Sequence, residues 1–109
     1  MSSQIKLVVF TPKSHTDVVR KAMGDAGAGK IGNYSHCSYS VEGIGRYKPV
    51  EGAKPAIGGV GKFEEVEEER VECVCDKGKA KGVIEAVRKV HPYEEVAFDI
   101  YPLISEEEL

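Results

Sequence analysis

The pattern of hydrophobic and polar positions changes period several times between Ile5 and Leu103. Ile5–Phe10 is apolar apart from Lys6, which predicts a strand covered on both faces. Val18, Val19, Ala22, Met23 and Ala26 then recur at helical spacing, with Ser14 placed to cap the helix, Asp17 in its first turn, and Gly27 and Gly29 to end it. His36–Val41 alternates, with Cys37, Tyr39 and Val41 on one face and His36, Ser38 and Ser40 on the other; this predicts a half-buried strand. A third strand is expected over Arg70–Cys75, where Val71, Cys73 and Cys75 share a face. Ala80, Val83, Ile84, Val87 and Val90 form an amphipathic helical stripe, with Asp76 as its expected cap and His91-Pro92 as its stop. Val96–Leu103 alternates again, with Val96, Phe98 and Ile100 together, and an acidic tail over 105–109 is expected to fray.

This order, β-α-β-β-α-β, predicts an α+β ferredoxin-like sandwich in one domain over residues 1–109. Right-handed crossovers put strands one and three in the centre and both helices on one face. Between strands two and three lies the glycine-rich stretch 43–62, read as an extended, mobile hairpin arm. Glu64–Glu69, five glutamates around Val66, reads as a solvated strand edge or turn leading out of it.

Charge and composition narrow the function classes. The first 54 residues carry a net +4 and the remainder −7, so the second half repels phosphate backbones and no nucleic-acid partner is expected. No apolar run approaches the ~20 residues of a membrane span, so no membrane partner is expected. The opening Met-Ser-Ser-Gln is unlike a secretion signal, and a cytoplasmic location follows as an expectation. Three cysteines, with no Cys-x-x-Cys, argue against a disulfide framework or structural zinc.

Three segments carry a resemblance. Ile-Gly-Asn-Tyr-Ser-His-Cys-Ser-Tyr (31–39), Gly-Ile-Gly-Arg-Tyr-Lys-Pro-Val-Glu-Gly-Ala (43–53) and His-Pro-Tyr-Glu-Glu (91–95) resemble the small inserted domain of the Ngg-interacting-factor-three (NIF3, YqfO-like) family. That domain is similar to CutA and the PII signalling proteins, and the resemblance implies a ferredoxin-like trimer. The family's two-metal site belongs to its larger flanking domain, so neither that site nor a hydrolase activity carries over to these residues.

Candidate chemistry gathers at one end of the predicted sheet, where Thr11–Ser14, the arm and His91–Glu95 meet. A divalent-metal site there takes His15, His91 and Glu94 or Glu95. The plainer alternative has His91 ending its helix and His15 solvated. His36 starts strand two at the opposite end and, beside Cys37, would share an ion only at a bulge or between chains. Cys37, Cys73 and Cys75 offer a soft-metal site or, more plainly, small core residues. Gly43, Gly45, Arg46 and Lys48, with Tyr93 nearby, suggest a cradle for a small anionic ligand; the loop between strands two and three contacts ligands and protein partners in PII proteins. No catalytic constellation is visible.

The sequence therefore predicts a non-catalytic PII/CutA-like oligomeric binding or regulatory module. Two alternatives stand beside it: a CutA-like divalent-metal-binding protein, and an accessory subunit of a separate metal-dependent hydrolase. Self-association follows from the central strands: Ile5, Leu7 and Val9 occupy one face while Val8 and Phe10 share the other with Lys6, and strand four adds Ala97 and Tyr101 beside Asp99, so whichever face meets the helices, the other keeps an apolar strip, with His36, Ser38, Ser40, Arg70 and Glu72 as its rim. A trimer is favoured over a dimer by the resemblance.

Overall fold

A computed structural model describes residues 3–109. Six elements follow the predicted order: β1 (Gln4–Pro12), α1 (Thr16–Asp25), β2 (Tyr39–Tyr47), β3 (Glu64–Asp76), α2 (Ala80–Val90) and β4 (Phe98–Pro102). The four strands form one antiparallel sheet in the order β2-β3-β1-β4, as the ferredoxin-like topology requires. The molecule is long for its size, 49 × 25 × 23 Å, because the β2–β3 ladder runs out beyond the body.

One face of the sheet packs on the helices. Ile5, Leu7 and Val9 of β1 stand opposite Cys75, Cys73 and Val71 of β3, and all six are buried with Val19 and Met23 of α1 and Val83 and Val87 of α2. Directly opposed residues of an antiparallel pair share a face, so register alone assembles this layer. Each fully buried valine contributes on the order of 1.5–3 kcal/mol over an exposed one, which is why the two helices dock here despite their modest length.

Both helices start differently from expectation. Each is entered through a short 3-10 turn, Lys13–His15 and Lys77–Lys79, and neither Ser14 nor Asp76 caps its helix. The Ser14 hydroxyl is bonded to His15 Nδ1 instead (2.8 Å), and the Asp76 carboxylate faces β1, accepting from Gln4 Nε2 (3.4 Å). The tail forms one 3-10 turn over Glu106–Glu108.

The second strand is displaced toward the arm. His36–Ser38 lie outside β2, and the strand continues through Gly43 and Gly45 to Tyr47, opposite Glu64. The glutamate run 64–69 is thus an integral part of β3, and the connecting loop shortens to residues 48–63. The faces change accordingly. Ser40 pairs with Val71 on the helix side, whereas Tyr39 and Val41 oppose Glu72 and Arg70 on the other side. Arg70 and Glu72 are therefore central on the open face rather than on its rim.

That open face has no helix over it. Val8 is fully buried there by its neighbours alone. Lys6 Nζ lies 3.9 Å from Glu72, Arg70 Nε 3.6 Å from Glu72, and Arg70 Nη2 donates to the Tyr101 hydroxyl at 3.4 Å. The Arg70 guanidinium also lies over the rings of Phe10 (5.8 Å) and Tyr101 (6.0 Å). Tyr39, Val41 and Tyr101 remain exposed around this centre.

Candidate functional site

The site forms where the arm leaves the body. The end of β1, the start of β3 and the turn after α2 meet there, and His91 ties them together. Its Nε2 donates to the Phe10 carbonyl at 2.8 Å, and its Nδ1 accepts the Tyr93 backbone N–H at 3.1 Å. With Nδ1 an acceptor, Nε2 must carry the proton, so the ring is neutral. His91 is buried, and burial, with a smaller contribution from His15, pulls its pKa below the ordinary imidazole value, opposed by the Phe10 bond and Glu68.

Tyr93 stands next to it, the two rings edge to face with centroids 4.9 Å apart. Its hydroxyl donates to Glu68 at 2.8 Å. Burial, then the Glu68 carboxylate, pushes the Tyr93 pKa far above the ordinary phenol range, so the proton stays on the tyrosine. Gly45 makes this contact feasible: a side chain there would collide with the Glu68 carboxylate.

The arm is latched to this cluster. The Lys54 backbone N–H donates to Glu94 Oε1 at 2.7 Å, the Tyr47 hydroxyl to the Ile57 carbonyl at 2.7 Å, and the Gly61 N–H to the Pro49 carbonyl at 2.8 Å. Between arm and turn lies a cavity of about 320 Å³. Pro49, Val50, Ala53, Pro55 and Ala56 form its apolar wall; Tyr47 and Tyr93, ring centroids 6.3 Å apart, form the aromatic one; Lys48, Glu94 and Glu95 complete the lining.

The sequence-derived candidates are distributed unevenly. Lys48, Tyr93 and Glu94 share the cavity, whereas Gly43 and Gly45 lie within β2 and Arg46 is paired with Glu65 (3.3 Å). The groove at Gly45 is filled by a carboxylate, which opposes an anion. His15 is bonded to Ser14, both His91 nitrogens are engaged, and among the described residues no group of three His, Cys, Asp or Glu is placed to hold a metal ion. His36, at a positive φ of 59°, bonds Asp25 at the end of α1 (2.9 Å) and Ser35 (2.9 Å), its ring seated against Gly24. Cys73 and Cys75 are buried in the core, and burial, then its sulfur neighbours, pushes the Cys73 thiol up to about 11. Tyr47 and Glu68 are not among the candidates the sequence offers, because their contacts with Tyr93 depend on where the turn after α2 meets the β2–β3 ladder.

Among the described residues no helix is long and apolar enough to cross a membrane. The fold and the arm together define a PII/CutA-like ferredoxin-like domain. CutA from Xylella fastidiosa superposes with a TM-score of 0.72 at 13% identity, over 98% of this chain and 90% of that one. The sequence is more specific. It is 58% identical over 98 residues to a Bacillus subtilis (strain 168) protein named GTP cyclohydrolase 1 type 2 homolog, covering 90% of this chain and 26% of the relative. A Bacillus cereus protein related to NIF3 superposes with a TM-score of 0.84 at 49% identity, over 95% of this chain and 26% of that one. The chain is similar to one part of these NIF3-related proteins and spans about a quarter of their length. No protein-family model matches it.

Proposed function

We propose that this chain works as a non-catalytic, self-associating binding module, with its sheet face as the assembly surface and the arm as the ligand- or partner-reading element. The open face carries the proposal. Tyr39, Val41 and Tyr101 are 68%, 46% and 42% exposed around a fully buried Val8, with no second layer over them. Exposed apolar and aromatic groups of this kind on a central sheet mark an interface. Arg70, anchored by Glu72 and Tyr101, suits the centre of such an interface, because its guanidinium is already held in place. Three copies around a three-fold axis is the arrangement that the PII/CutA resemblance supports. Light scattering on a size-exclusion column tests it: the wild type should elute as an oligomer, and Val41→Glu should shift it toward monomer.

A second reading is supported by where β1 begins and β4 ends. The Leu103 N–H donates to the Gln4 carbonyl at 3.1 Å, so the two flanks of the domain run side by side. A domain with that geometry can sit within a longer chain without rearrangement. Co-purification with the flanking region of a NIF3-related protein tests this reading.

A further inference from the structure

The cavity beneath the arm has a definite electrostatic character. Its two aromatic walls, Tyr47 and Tyr93, present rings whose faces are electron-rich. Glu94 and Glu95 line it and are exposed; Glu94 spends one oxygen on the Lys54 N–H. Glu68 stands behind Tyr93, and Glu64 and Glu68 act on Tyr47 from β3. Among the described residues Lys48 is the cation in the lining, and its ammonium lies 5.0 Å over the Phe63 ring. The balance is negative around an apolar, aromatic-walled space.

The volume, about 320 Å³, falls at the small end of the range for organic ligands. Its walls are fixed by two backbone bonds, Ala53 N–H to the Val50 carbonyl (3.0 Å) and Gly61 N–H to the Pro49 carbonyl (2.8 Å), and by the Lys54 N–H to the Glu94 carboxylate. An anion would meet Glu94 and Glu95. A neutral apolar ligand would leave both carboxylates without use. A ligand with an aromatic or aliphatic body and an ammonium group matches every wall at once, through cation–π contact and ion pairing.

We propose that the cavity between Tyr47, Tyr93 and Glu95 binds a small organic ammonium ion, whose body packs on the proline and alanine wall. Such a ligand touches both the arm and the His91–Glu95 turn. It therefore adds to the latch, and arm order becomes a function of ligand concentration. This deepens the module reading by giving the arm a ligand class, and it rests on that reading only for its consequence, not for the binding itself.

The test is an amide NMR titration of the full chain with phenethylammonium, its neutral counterpart 2-phenylethanol and the anion phenylacetate at millimolar concentrations. Saturable shifts confined to Ala53, Lys54 and residues 93–95 are expected with the ammonium. Binding of the alcohol should be about tenfold weaker, and that of the acid weaker still. Glu95→Gln, an exposed and structurally mild change, should weaken the ammonium several-fold and leave the alcohol unchanged. Equal binding of all three probes, saturable shifts elsewhere, or no saturation by the ammonium overturns the proposal. Mass measured on the same samples separates the two ideas: a monomer that binds the ammonium sinks only the assembly, and an oligomer that ignores it sinks only the ligand.

Discussion

The His91 imidazole joins the turn after α2 to the end of β1: its Nε2 donates to the Phe10 carbonyl at 2.8 Å while its Nδ1 receives the Tyr93 N–H. Both ring nitrogens are thereby committed to structure. Removing the ring leaves a carbonyl and an N–H without their partner. His91→Ala should destabilise the protein by roughly 1–3 kcal/mol, read from urea unfolding, and His91→Gln, which can still donate to Phe10, by less.

The same geometry gives a pH dependence. Burial depresses the folded-state pKa of His91, so the unfolded chain binds its proton first as pH falls. Its contribution is complete above the unfolded value of about 6.5 and is lost as pH drops from there through the lower folded value. Wild-type stability should therefore fall more steeply than that of His91→Gln as pH drops below about 6.5. Parallel slopes for the two proteins would show that His91 binds its proton equally well in the folded and unfolded states.

Glycines at two positions should respond in opposite directions. Gly29 has a φ of 79°, and a Cβ there would strike the backbone of Cys37. Gly29→Ala should cost about 2 kcal/mol or more, from left-handed strain plus a clash that no rotamer relieves. Gly82 lies in α2 with open space around it, so Gly82→Ala should stabilise by roughly 0.5–1 kcal/mol. Thermal melts of the two variants check both signs.

Much of this fold is legible in the chain. The Ile5–Phe10 run and the Val83–Val87 stripe found β1 and α2 because burial sets their periods directly. β2 is displaced from the His36–Val41 alternation because only Tyr39–Val41 of that stretch are in the strand: His36 turns away to reach Asp25, and the strand continues through Gly43 and Gly45, whose composition resembles a loop. Those residues hold a strand because β3 supplies a full ladder of partners and because Gly45 leaves room for the Glu68 carboxylate. The glutamate run reads as a solvated strand edge or turn; by register Glu68 shares the face of Arg70 and Glu72, and it is buried because the turn after α2 brings the Tyr93 hydroxyl onto it. In the site, Tyr93, Glu94 and Lys48 were legible from their proximity to the arm. Tyr47 and the Lys54–Glu94 latch were not, since nothing local encodes a contact across 40 positions.

The cysteines offer a further check on the core. Cys73 and Cys75 are buried, with the Cys73 thiol pushed up to about 11, whereas Cys37 is partly exposed. A disulfide reagent at about pH 8 should modify one thiol quickly in the native protein and all three after denaturation. The fast site should be lost in Cys37→Ser.

Tyr93→Phe isolates the contact at the arm's base. It removes the hydroxyl that satisfies the Glu68 carboxylate, and should cost about 1–2 kcal/mol. Because Glu68 then has no reason to remain inward, hydrogen exchange of the Lys54 amide should rise as the latch loosens.

The central claim, assembly through the open sheet face, is tested most directly by the mass of the protein in solution. Size-exclusion chromatography with light scattering at micromolar concentration should give close to three times the chain mass of 11.9 kDa, and Val41→Glu should lower it. A wild-type mass that stays at 11.9 kDa across that range would contradict the account.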